Sequence, residues 1–152
     1  MIISTSSRYQ KLTPTISTGI YASGEAIGGL LTFNGLLSGS ETGVIQSLVL
    51  VDQSEQSAEI DLFLFDRSVT ATADNAPINI SAADSLFCIG VITILATDYK
   101  DQGGQTVATV KNIGLHISAK DDKTIYGQMV VRGTPTYGAV TDLQIALSCK
   151  QD

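Results

Sequence analysis

The sequence predicts an all-β fold, a two-sheet sandwich entered through an extended N-terminal arm. Three observations carry this. Short segments that alternate apolar and polar residues recur from Gly19 to Cys149. In the last of them Leu143, Ile145, Leu147 and Cys149 point one way and Asp142, Gln144, Ala146 and Ser148 the other, the period of a strand with one buried face. Clusters of Gly, Asn, Asp and Pro separate the segments, and no long stretch keeps a helical period.

Taken in order, Met1 to Thr18 reads as the arm, because Ser and Thr are frequent, Pro14 interrupts, and neither period is sustained. It is either a frayed terminus or an arm that orders on a neighbouring subunit, anchored by Tyr9, Leu12 and Ile16. The sandwich then occupies residues 19–152. Gly19 to Ala22 and Ala26 to Phe33 form the first strand pair, and Gly28-Gly29 inside the second member marks a bulge or a close backbone approach. Val44 to Asp52 is apolar on both faces, as a central strand covered on each side would be. Ala58 to Asp66 buries Ile60, Leu62 and Leu64. Its other face runs from Glu59 and Asp61 to Phe63 and Phe65, so that end is tucked under a loop or offered to a partner.

Arg67 to Ser81 is a long connection. Ser81 with Asp84 then resembles the cap and early carboxylate of one helical turn. Gly90 to Thr97, Thr106 to Lys111, Ile113 to Ile117 and Thr124 to Arg132 are further strands, and Gly133 to Gly138 is an irregular segment leading to the last one. The count, about eight, suits two packed sheets.

Length and composition favour one folded domain. A chain of 152 residues buries roughly 70% of its unfolded surface, and 43% hydrophobic with 16% charged residues argues against disorder. Met1 to Leu12 has no continuous apolar stretch, so no signal peptide is expected, and no apolar run approaches the roughly 20 residues of a membrane span. Cys88 and Cys149 lie in apolar strand-like segments and read as buried free thiols of a protein made in a reducing cytoplasm.

The net charge of −6 is uneven. No Lys or Arg occurs from Leu12 to Asp66, and residues 1–99 hold three basic against ten acidic side chains. Such a surface repels phosphate backbones, so no nucleic-acid partner is expected. Arg8 and Lys11 are the exception, and could dock the arm on an acidic surface.

Candidate chemistry is thin. His116, the one histidine, is out of phase with Ile113, Leu115 and Ile117 and should face solvent. A nucleophile system would have to be built on it alone. Glu59 and Asp61 share a strand face, but sugar cleavage also wants aromatic platforms and the chain has no Trp. Asp121-Asp122 and Asp52/Glu55 lack calcium-loop spacing and read as polar turns. No enzyme activity, metal or cofactor is expected. Pro135 and Tyr137, between Gly133 and Gly138, make a stiff loop with one aromatic anchor, either adhesive or capping its own sandwich.

Several stretches resemble a family of small virion proteins from tailed bacteriophages, of the capsid cement or decoration type. They are the run Tyr21 to Phe33 (YASGEAIGGLLTF), Gly43 to Ser47 (GVIQS), Asp61 to Asp66 (DLFLFD), Asp74 to Pro77 (DNAP), Ala108 to Leu115 (ATVKNIGL) and Arg132 to Tyr137 (RGTPTY). The resemblance covers most of the chain from Tyr21 onward and leaves the arm uncovered. It implies a jelly-roll-like sandwich clamped over junctions between major capsid proteins on the outer surface of the virion, with no catalytic residue to carry over. A homo-dimer or homo-trimer would adhere through Arg8, Tyr9, Lys11 and Leu12 of the arm, the Phe63/Phe65 patch and the Pro135–Tyr137 loop. The rival expectation is a receptor- or glycan-binding module of a head fibre or tail, with sugar rings stacked on Tyr99, Tyr126 or Tyr137.

Overall fold

The chain folds as one long hairpin whose two halves pair along their whole length and then wrap into two facing antiparallel sheets. The structure, a computed structural model, describes residues 6–37 and 39–151. Its strands are β1 (Ser6–Leu12), β2 (Ala26–Phe33), β3 (Thr42–Asp52), β4 (Ile60–Phe65), β5 (Cys88–Ile94), β6 (Tyr99–Asp101), β7 (Thr106–Val110), β8 (Leu115–Ser118), β9 (Ile125–Val131) and β10 (Leu143–Gln151). One short helix, α1 (Ala82–Ser85), precedes β5, and its Ser81 Oγ accepts the Asp84 backbone N–H at 3.0 Å, as the capping signature predicts.

The six-stranded sheet runs β1-β10-β3-β7-β6, with β8 also on β3, and the four-stranded sheet runs β2-β9-β4-β5. First-half strands β1, β2, β3 and β4 therefore meet second-half strands β10, β9, β7/β8 and β5. That nesting is the two-Greek-key order of a jelly roll, so the all-β two-sheet sandwich stands. Between the sheets lie Ile27, Phe33, Leu48, Leu50, Ile60, Leu62, Leu64, Met129, Ile145 and Leu147, all fully buried.

The N-terminal arm is corrected over its described part. Ser6–Leu12 is an edge strand, paired residue for residue from Ser6↔Gln151 to Leu12↔Ile145. Beyond it Pro14 and Ile16 are buried, and the Ile16 N–H donates to the Val140 carbonyl at 3.0 Å. The physical reason is β10. Its far side would otherwise present a row of unpaired backbone groups. Residues 1–5 of the expected arm lie outside the described residues. Gly19 to Ala22, expected as a strand, belongs to the loop that follows.

Two further expectations meet the structure. The β2 register shifts between Ile27 and Leu31, at the Gly28-Gly29 pair. Gly28 has φ +72°, and a Cβ there would stand 2.9 Å from the Pro14 ring, so both the backbone and the close approach demand glycine. β3 is central, as expected, but covered on one side only: Ile45, Leu48 and Leu50 are buried, whereas Val44, Val49 and Val51 are half-buried on the open face.

Candidate functional site

The long connection between β4 and β5 decides which apolar groups remain available. It crosses the outer face of the four-stranded sheet and is fixed there by one buried and one half-buried polar side chain. Gln128, fully buried on β9, accepts the Thr72 N–H at 3.0 Å and donates to the Gly28 carbonyl at 3.3 Å. Asp74 Oδ1 accepts both the Tyr21 hydroxyl and the Gly28 N–H at 2.7 Å. The Ala26 N–H donates to Ala76 and the Asn75 N–H to Ala26, which stitches the connection to the end of β2.

This covering splits the Phe63/Phe65 patch. Phe65 is 2% exposed, which corrects its assignment as an adhesive residue, while Phe63 is half-buried. Together with Ile78, Ile80, Ser85 and Cys88 they line an open, mainly apolar cleft of about 420 Å³. Its rim carries apolar side chains held in water. Val91, directly opposite Phe63 on the edge strand β5, is 48% exposed, and Leu86, next to Ser85, is 82% exposed. An exposed Leu singly is ordinary, but one beside an apolar cleft on a sheet edge marks a place where a partner gains by covering it. Sequence reasoning missed Leu86 and Val91. Both sit in segments whose local pattern does not say that β5 ends the sheet.

The other expected adhesive residues divide the same way. Arg8, Tyr9 and Lys11 are exposed on β1, with the Lys11 ammonium 5.8 Å from the Tyr9 ring centroid. Leu12 is half-buried and packs against the core. Pro135 and Tyr137 are buried, which corrects both. Tyr137 packs edge-on against Tyr21, ring centroids 6.0 Å apart, so the loop caps its own sandwich. The structure thus does not gather the eight residues into one surface.

Tyr99 is buried as well, its hydroxyl donating to the Ala58 carbonyl at 2.7 Å, which leaves the half-buried Tyr126 as the remaining ring of the three named for sugar stacking. Burial raises the phenols of Tyr21, Tyr99 and Tyr137 above their ordinary value of 10.0, with Asp74 adding to the rise at Tyr21 and Asp52 at the other two. Below pH 10 these phenols are neutral in both folded and unfolded chains. Above it the unfolded chain ionises first, so stability falls as pH rises. Urea midpoints are expected to hold level from about pH 8 to about pH 10 and to drop by about pH 11, with ionisation of Tyr21, Tyr99 and Tyr137 appearing only as the fold is lost. Free titration of these three phenols in the folded protein would contradict this.

The polar clusters behave as turns and pairs. Asp52 is buried with its carboxylate accepting the Ser54 and Ser57 N–H groups, each at 2.9 Å. Asp61 is neutralised by Arg132 Nε at 2.8 Å and accepts the Thr93 hydroxyl at 2.7 Å, so it and the half-buried Glu59 do not form a free carboxylate pair. His116 is exposed on β8. Among the described residues no group of three or more His, Cys, Asp or Glu is gathered to hold a metal ion, and Cys88 is a half-buried free thiol. No helix among the described residues is long and apolar enough to cross a membrane. Comparison of the chain with protein-family models, curated proteins and solved structures finds no match.

Proposed function

We propose that this chain is a structural virion protein, a capsid cement or decoration protein that binds across major capsid protein junctions on the outer surface of a tailed-phage head and stabilises it. In this reading it is made in the host cytoplasm, works as a homo-oligomer and performs no bond-making step. A head holding packaged DNA is pushed outward from within, so subunits that adhere across seams raise the cost of rupture.

The observation that carries the reading is the cleft edge. A rigid jelly roll, an architecture that recurs in viral capsid domains, holds Leu86 and Val91 in water beside the apolar cleft of Phe63, Ile78 and Ile80. Apolar surface of this kind, with the Phe63 ring among it, is what a partner desolvates at the core of an interface. The resemblance of the stretches from Tyr21 to Tyr137 points the same way.

The test is reconstitution on heads stripped of the protein. Wild-type protein is expected to restore resistance to heat and osmotic shock. The double variant Leu86→Asp/Val91→Asp is expected to bind at least tenfold more weakly, which corresponds to about 1.4 kcal/mol, while circular dichroism shows it still folded, since Leu86 is 82% and Val91 48% exposed. Stripped heads that survive both stresses unaided would overturn the function. Equal attachment of the variant would remove the cleft edge as the contact.

A further inference from the structure

The two sheets differ in what lies over them. The four-stranded sheet carries the β4–β5 connection on its outer face, whereas nothing among the described residues covers the outer face of the six-stranded sheet. Register places the half-buried Val49 and Val51 of β3 and Val107 of β7 at the centre of that face, around the small, buried Ala146 of β10. Ser47 and Ser148 stand beside them, hydroxyl to hydroxyl at 2.6 Å. Lys11, Lys150 and Lys100, all exposed, occupy the same face towards its rim. In a chain with fifteen acidic and nine basic residues, no described strand position on this face carries a carboxylate.

The acidic counterpart is on the same molecule. The β3–β4 loop, the 3-10 turn before β6 and the start of β10 meet at one end of the sandwich. The Gln53 N–H bonds to the Asp142 carbonyl at 2.9 Å, and Tyr99 reaches the Ala58 carbonyl. The segments so joined carry Glu55 and Glu59 on the loop and Asp98 on the turn, with Asp101 following on β6, while Arg132 is already engaged by Asp61. Charge is therefore polarised, with a flat cationic, weakly apolar face and an acid-rich end.

We infer that the open face of the six-stranded sheet is the docking surface for the acid-rich end of a second copy of this chain, in a heterologous, head-to-tail contact. A symmetric face-to-face dimer would instead confront lysines with lysines around an apolar centre. The two arrangements respond oppositely to salt, because screening weakens attraction between unlike surfaces and relieves repulsion between like ones. The contact does not involve Leu86 or Val91 and stands or falls separately from attachment to heads.

The test is sedimentation velocity of the purified full chain. At about 0.1 M salt, where the Debye length is about 10 Å, the wild type is expected to associate, and at about 1 M, where it is about 3 Å, to dissociate. The charge reversals Lys11→Glu/Lys150→Glu and Glu55→Lys/Glu59→Lys are each expected to be monomeric, with unchanged circular dichroism. An equimolar mixture of the two is expected to associate again, since the reversed face of one then meets the reversed end of the other. A wild type that stays monomeric at low salt overturns the inference. So does association that strengthens with salt, or a mixture that stays monomeric.

Discussion

Removal of residues 1–18 is expected to unfold the sandwich. The deleted segment contains the whole of β1, which supplies the outer partner of β10 along seven residue pairs, together with the buried Pro14 and Ile16. Without it β10 becomes a sheet edge made of Ile145, Leu147 and Cys149 on its inner side, the kind of edge that pairs with other chains and aggregates. The Ile16 side chain alone is worth about 2–5 kcal/mol when truncated to Ala, against a total stability of order 5–15 kcal/mol for a domain. The shortened chain should therefore collect as aggregate or show no cooperative melt by circular dichroism, and Ile16→Ala in the full chain should keep the fold but melt earlier. A truncated protein with the wild-type melting temperature would show that β1 is dispensable, and would return this segment to the role of an appendage.

Tyr137→Ala is expected to lose about 3–5 kcal/mol of stability, the scale for emptying a large aromatic site in a core. Its ring is 1% exposed and meets Tyr21 edge-on. The hydroxyl is a different matter. It is buried with no hydrogen-bond partner among the described residues, so it was stripped of water on folding without recompense. Tyr137→Phe should accordingly be neutral or stabilising, by up to about 1–3 kcal/mol, the desolvation cost of an unsatisfied group. Urea denaturation of the two variants separates the contributions. A Tyr137→Ala protein as stable as wild type would mean that the ring faces water and that the loop is free to adhere elsewhere.

Strand β1 and Tyr137 show where the amino-acid sequence stops being legible. The strands from Ala26 onward announce themselves because one face is buried and the alternation records it. Glycine at position 28 and serine at position 81 are readable for the same reason, since a local backbone requirement leaves a local mark. β1 leaves almost none. Its residues are mostly exposed on both faces, and what holds it is main-chain pairing with β10, to which every sequence is entitled. Tyr137 has the composition of an interaction loop, Gly and Pro around one ring. Whether that ring turns in or out depends on Tyr21, more than a hundred residues away. The Phe63/Phe65 face was legible as ambiguous, and the ambiguity resolves residue by residue: Gln128 and Asp74 pin a loop that closes over Phe65 and stops short of covering Val91.

Pairing between Ser6 and Gln151 has a temporal consequence. During synthesis β1 must wait for β10 before it can find its neighbour, so the six-stranded sheet cannot close until β10 has been made. Nearly every ladder joins the two halves of the chain, which places this protein among the slow, topologically demanding folders that close in milliseconds to seconds. Until β10 emerges, the nascent polypeptide carries its apolar strands unclosed, and a cell producing many copies at once must shield them.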